Sequence, residues 1–153
     1  MENKDTYNIY DFEIIDIVSE RIVFLNTPKK IKENLIEYTE SEILHDIKIN
    51  KKSKSIVVLM GLIVNVKETK ESIAEIHYSF HYNLKEIENY NKEKIEKINK
   101  NLALNLLAIS FSTFRGLCFS EFKNSTYNNV MPLVIINPSV LLKMHEEGNE
   151  IKK

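Results

Sequence analysis

The segment LALNLLAISFSTFRGLCF, residues 102–119, is eighteen residues long and carries a single charge, on Arg115. Apolar side chains recur within it and just upstream of it at spacings of three and four residues, which predicts a helix. One side of this helix carries Ile95, Ile98, Leu102, Leu106, Ile109, Thr113 and Leu117. From Leu102 onward the opposite side is apolar as well, through Leu104, Leu107, Ala108, Phe111 and Phe114.

A soluble helix that is apolar on both sides must be buried on both sides, and one sheet covers only one of them. We therefore expect a second copy of the chain to cover the other side, so that the protein is an oligomer. The residues expected at this interface are Leu102, Leu106, Ile109, Thr113 and Leu117. The segment ends just short of a bilayer span and contains polar residues, so no membrane insertion is expected.

The residues before this helix alternate with a period of two, which is typical of strands. Apolar and polar residues alternate six times over residues 72–86, which predicts a strand with one solvent-exposed face. Residues 56–66 are apolar on both faces, which predicts an interior strand. Residues 43–49 predict another strand, and 8–25 a long first strand with a bulge near Ile14 and Ile15. The connection between Thr27 and Ser41 is expected to contain one helical turn.

The C-terminal part predicts a short second helix. Asn137 is a good N-cap, Pro138 suits the first helical position, and Gly148 stands where the helix is expected to end. The predicted fold class is α+β, with four antiparallel strands, then a long helix, then a short one. Residues 1–153 are expected to form one domain, since no repeat or linker divides them.

Composition excludes several classes of function. The net charge of −1 argues against nucleic-acid binding, and three dispersed glycines cannot build a phosphate-binding loop. His77 and His81 would stand about 13 Å apart along a strand, too far for one metal ion. No carboxylate pair suggests a general acid and base, so we expect neither an enzyme nor a cofactor. One cysteine and no targeting signal predict a cytoplasmic protein.

Two residues inside the long helix carry chemistry. Cys118 is expected to be a buried and unreactive thiol, because only Arg115 is a basic neighbour in sequence. Arg115 must find a carboxylate or a set of carbonyl groups, because an unpaired buried charge is costly. Its partner is expected either within the protein or in a bound molecule, and both readings stay open.

The second half of the chain resembles the SecB family of export chaperones. NLALNLLAISFSTFRGLCFSEF, residues 101–122, is similar to the family's long helix, and VMPLVIINPSVLL, residues 130–142, to its proline-bracketed C-terminal segment. FEIIDIVSERIVFLNTP, residues 12–28, resembles the first strand. The resemblance implies a dimer of dimers, with the long helices packed between sheets. It also implies an ATP-independent chaperone that holds unfolded polypeptides in apolar grooves.

By this resemblance, two segments would line the client grooves. They are the connection after the first strand and the C-terminal segment, through Ile31, Leu35, Ile36, Tyr38, Met131, Leu133, Leu141 and Met144. Family members that deliver clients to the SecA ATPase carry acidic residues near the end of the first strand. Arg21 and Leu25 stand at the matching positions, and Glu20 is expected on the other face. SecA delivery is therefore doubtful, and a dedicated partner such as an antitoxin becomes an alternative.

Two further functions remain open at this point. One is a small-ligand-binding domain with an apolar pocket between sheet and helix. The other is a purely structural assembly subunit.

Overall fold

The computed structural model describes residues 12–50, 55–84, 100–127 and 137–150. Four strands and four helices lie in these ranges: β1 (Phe12–Phe24), α1 (Lys29–Glu33), α2 (Leu35–Tyr38), β2 (Thr39–Asn50), β3 (Ser55–Val66), β4 (Ser72–Leu84), α3 (Lys100–Asn124) and α4 (Pro138–Glu150). The predicted α+β fold, with an antiparallel sheet followed by a long and a short helix, is confirmed.

The strands form one antiparallel sheet in the order β1-β4-β3-β2. β3 lies inside the sheet, and its side chains toward the helices are at most 8% exposed, while Val57, Leu59 and Ile63 on the other face are half-buried. This is the interior strand that its unbroken apolar sequence predicts. The hairpin between β3 and β4 turns through Lys70, whose φ of 60° is the left-handed conformation of a tight turn.

β1 contains two irregularities in its pairing with β4. The first falls between Ile14 and Asp16, where a break in alternation predicts a bulge, and this prediction is confirmed. The second falls between Ser19 and Arg21 and is not predicted. Each inserts one residue without a partner, so the side chains that follow change face relative to simple alternation.

α3 lies over β3 and β4 and closes the core. Ring and hydroxyl contacts join it to β4: the Tyr82 and Ser110 hydroxyl oxygens are 2.7 Å apart, and the Tyr78 and Phe114 ring centroids are 6.3 Å apart. The residues of α3 buried within the chain are Leu102, Ala103, Leu106, Leu107, Ser110, Phe111, Phe114, Cys118 and Phe122. The side of α3 that faces the sheet is therefore broad, and it includes residues from both of the apolar stripes predicted above.

α4 begins as its sequence predicts and ends later. The Asn137 carboxamide oxygen accepts the Ser139 backbone N–H at 3.0 Å, which is an N-cap contact, and Pro138 is the first helical residue. The predicted end at Gly148 is wrong, because the helix continues to Glu150. α4 contacts both α3 and β2. It thus supplies part of the cover for α3 that the sequence assigned entirely to a second copy of the chain.

Candidate functional site

The connection after β1 places apolar side chains both inside and outside the protein. Ile36 is 66% exposed, and Ile31 and Tyr38 are partly exposed. Leu35 is only 1% exposed and belongs to the core. The structure therefore corrects the predicted client-binding role of Leu35, because its side chain is covered by the chain itself.

Polar contacts fix this connection onto the end of β3. The Lys67 ammonium donates to the Glu37 carbonyl at 2.7 Å, and the Lys67 backbone N–H donates to the Tyr38 carbonyl at 2.9 Å. The Lys30 ammonium lies 4.6 Å from the centre of the Tyr38 ring, a cation–π contact. Ile36 is thus presented from an anchored segment rather than from a free loop.

Tyr127 anchors the start of the same connection, and sequence reasoning missed it. Its hydroxyl donates to the Leu25 carbonyl at 2.6 Å and lies 2.9 Å from the Thr27 hydroxyl, which donates to it. Burial raises the pKa of Tyr127, consistent with a hydroxyl that remains protonated as a donor. Leu25 itself is 52% exposed at this anchored point. A lone tyrosine after a helix gives no periodic signal by which it could be found.

α4 presents a second apolar surface. Met144 and Val140, one helical turn apart, are 48% and 46% exposed, whereas Leu141 is fully buried. The predicted client contact at Leu141 is corrected for the same reason as that at Leu35. Met131 and Leu133 lie outside the described residues. α2 and α4 both contact β2, so the sheet-edge strand β2 connects the two segments predicted to bind clients.

The predicted oligomer-interface residues separate into two groups. Leu102 and Leu106 are 2% and 0% exposed within one chain, so their side chains face the protein's own core. This corrects their assignment to an interface. Ile109, Thr113 and Leu117 remain partly exposed. The interface itself stays a prediction, now restricted to these three residues of the original set.

β1 is the most apolar exposed element among those described. As an edge strand it leaves one row of backbone groups without a strand partner among the described residues. Its large exposed side chains are Ile14, Ile15, Ile17 and Ile22, at 37–57% exposure. We call these four isoleucines the edge surface.

The face of the sheet away from the helices carries an ordered polar row. Arg21 pairs with Glu75 at 2.5 Å, and the Ser79 hydroxyl donates to Glu20 at 2.5 Å. Glu75 and Ser79 alternate on one face of β4, so Glu20 and Arg21 share that face. The expectation that Glu20 points to the opposite face is wrong, because the second bulge of β1 inserts a residue there.

The cluster of Ser79, His81 and Glu20 does not form a nucleophilic site. Ser79 is 1% exposed and gives its one hydroxyl hydrogen to Glu20, so the His81 Nε2, 3.0 Å away, donates to the serine oxygen. A histidine that donates to serine cannot remove its proton. The Cys118 thiol is fully buried, which confirms the prediction of a buried thiol, and burial raises its pKa, which favours the unreactive thiol form.

The Arg115 side chain is half-buried on α3. Its Nε is buried and has no hydrogen-bond partner in the described part of the chain. The choice between an internal and a bound partner for the guanidinium therefore stays open.

Neither a protein-family model nor a curated protein matches the sequence. Among solved structures, the chain is similar to the SecB-like chaperone Rv1957 of Mycobacterium tuberculosis, solved in complex with a ChAD peptide from the HigA1 antitoxin Rv1956. The TM-score is 0.55 at 12% identity, over 82% of this chain and 89% of that one. A protein of unknown function from Streptococcus agalactiae matches at a TM-score of 0.38 and 11% identity, over 83% of this chain and 99% of that one. The SecB-like fold expected from the sequence is confirmed.

Proposed function

We propose that this protein is a cytoplasmic, ATP-independent holdase chaperone that binds unfolded polypeptides without a cofactor. The observation that carries the proposal is the set of large apolar side chains left exposed at both segments predicted to bind clients. We call Leu25, Ile36, Val140 and Met144 the client surface, with 46–66% of each exposed. Exposed aliphatic and methionine side chains adapt to varied extended chains without requiring a particular sequence.

Light scattering during dilution of a denatured client tests this function. The protein should suppress client aggregation at roughly stoichiometric amounts in the absence of ATP. Ile36→Ser and Met144→Ser should each weaken suppression, because they remove apolar contact area at positions 66% and 48% exposed. Leu44→Ser is the matched control, since Leu44 is an exposed aliphatic at 38% but points to the sheet face away from the helices.

The outcomes separate the alternatives. No suppression of several clients by folded protein would overturn the holdase proposal. If Leu44→Ser weakens suppression as much as Ile36→Ser does, clients bind the other sheet face instead. A bound lipid in the native mass spectrum, without suppression, would support the alternative of an apolar pocket between sheet and helix.

The chaperone is further proposed to be a homotetramer, a dimer of dimers. The edge surface and the partly exposed Ile109 and Leu117 of α3 support this assembly. A second copy that covered them would remove isoleucine and leucine side chains from water. Leu117→Glu should lower the mass measured by sedimentation velocity, since a carboxylate buried without a partner costs several kcal/mol. Thr69→Glu, in the exposed turn between β3 and β4, is the control. A wild-type mass for folded Leu117→Glu would contradict this interface.

A dedicated partner, such as an antitoxin, is proposed in preference to SecA. The basic residue Arg21 supports this preference, because it stands at the position where delivery to SecA would require an acidic residue. The Arg21 side chain pairs with Glu75. The similar mycobacterial chaperone is bound to an antitoxin peptide. Titration with purified SecA should show no tight binding. Tight SecA binding would overturn this preference.

A further inference from the structure

α4 is held against β2 by a polar contact that includes two histidines. The His45 Nε2 lies 2.7 Å from the Leu141 carbonyl oxygen. A carbonyl only accepts, so Nε2 carries the hydrogen and Nδ1 is the position that takes up a further proton. The His145 ring centroid is 6.2 Å from that of His45, and the His145 Nδ1 is 3.9 Å from the Asp46 carboxylate. We call His45, Asp46, Leu141 and His145 the α4 latch.

Several charged groups surround the latch. They are Asp46 and Lys48 on β2, His145 and Glu146 on α4, and Lys100 on α3. The Asp46 carboxylate accepts the Ile47 backbone N–H at 2.9 Å and faces the Lys48 ammonium at 3.8 Å, so part of its charge is already compensated. The Lys100 ammonium lies 3.6 Å from the Glu146 carboxylate. Histidine is the residue type whose ordinary pKa lies near neutral pH, so His45 is the group that can respond to mild acidification.

Protonation of His45 places a cation at the junction of α4 and β2, beside the His145 ring. Burial is the main cause that lowers the pKa of His45, and the neighbouring His145 lowers it further. The hydrogen bond to the Leu141 carbonyl and the charge of Asp46 raise this pKa, but by less than burial lowers it. The docked helix thus favours neutral His45. The sign follows from linkage: a histidine whose pKa is depressed in the docked state opposes docking as the pH falls below 6.5, the ordinary histidine value.

We propose that the α4 latch makes docking of α4 pH-sensitive, so that acidification from pH 7.5 to 5.5 releases α4 from β2. Release exposes Leu141 and Leu142, which are 0% and 5% exposed when docked, and the helix-facing isoleucines of β2. That exposure adds apolar area beside Val140 and Met144 of the client surface. The link to client capture rests on the proposed holdase function, whereas the movement of α4 does not.

Hydrogen–deuterium exchange of peptides from α4, corrected for intrinsic rates, tests the release. The protection of residues 138–147 against exchange should fall between pH 7.5 and 5.5, because the docked helix favours the neutral His45 ring. His45→Gln keeps an amide donor for the Leu141 carbonyl but does not titrate, so it should retain protection at pH 5.5. Peptides from α3, residues 102–122, report global stability and should stay protected in both proteins.

The proposed release of α4 would be overturned if the wild type kept the same protection of α4 at both pH values. It would also be overturned if the protection of α4 fell as much in His45→Gln as in the wild type. Loss of protection in α3 to the same extent would also overturn it, because the whole fold would then be opening. Client light scattering at both pH values is read separately. Greater suppression at pH 5.5 in the wild type, absent in His45→Gln, supports the link to client capture; equal suppression despite release of α4 overturns that link alone.

Discussion

Removing either hydroxyl of the pair between Tyr82 and Ser110 should destabilise the fold, and by unequal amounts. The two oxygens are 2.7 Å apart, and both residues are fully buried between β4 and α3. Tyr82→Phe leaves the Ser110 hydroxyl without its partner. However, a helical serine can turn to donate to the carbonyl four residues earlier, here that of Leu106. We expect a cost of about 1 kcal/mol for this variant.

Ser110→Ala should cost more. The phenolic hydroxyl of Tyr82 is held in place by a rigid ring and cannot reach another acceptor by rotation of a single bond. A buried hydroxyl left unpaired costs about 1–3 kcal/mol. The double variant removes both groups, so it should cost less than the sum of the two single changes, with an interaction energy of about 1 kcal/mol.

Urea denaturation followed by circular dichroism measures these differences, at one protein concentration because assembly affects apparent stability. The slope of the free energy of unfolding against urea concentration should be equal among the wild type, the two single variants and the double variant. Costs that add without interaction, or a larger cost for Tyr82→Phe than for Ser110→Ala, would refute the proposed geometry of the pair.

Four further expectations concern the stability of the folded protein. Gly116→Ala should stabilise it by about 1 kcal/mol in urea titrations, because a Cβ there meets nothing within 4 Å and alanine favours helix. Gly61→Ala should destabilise it by about 1–3 kcal/mol, because its Cβ would lie 2.8 Å from a histidine ring; unchanged stability would argue against that ring position. Burial is the main cause that raises the pKa of Tyr78 to about 12, so stability should fall as pH rises from 10 towards 12, and Tyr78→Phe should lessen that fall. Arg21→Ala should cost at most about 1 kcal/mol at low salt and less at high salt, because its pair with Glu75 is exposed; a larger cost in thermal melts would contradict this assignment.

The strands and the long helix could be predicted because their side chains follow a regular period. β4 alternates with few exceptions, β3 is an apolar run of strand length, and α3 keeps spacings of three and four residues throughout its apolar segment. The spacing of apolar residues alone does not identify which part of the protein, or which second copy, covers each side of a helix. Leu106 was therefore assigned to an interface although it faces the sheet, and α4 was not recognised as a neighbour of α3.

The surface residues were harder to predict. Leu35 and Leu141 look like other apolar residues of short segments, and only the folded arrangement shows that they are buried while Ile36 and Met144 are exposed. The prediction of the sheet face on which Glu20 lies was wrong for a different reason. Counting by twos from a reference residue fails after any bulge, and the bulge beyond Ser19 breaks no obvious pattern of apolar and polar residues.

The pairing of the first strand with the last has a consequence for the order of folding. β2, β3 and β4 join through short connections, but Ile17 pairs with Phe80, sixty-three residues later in the chain. At a synthesis rate of roughly 5–20 residues per second, β1 waits about 3–13 s on the ribosome before its partner has been made. During that time its isoleucines have no strand to pair with. A protein proposed to shelter unfinished chains therefore has a vulnerable N-terminal strand of its own, and its synthesis should be sensitive to the supply of other chaperones.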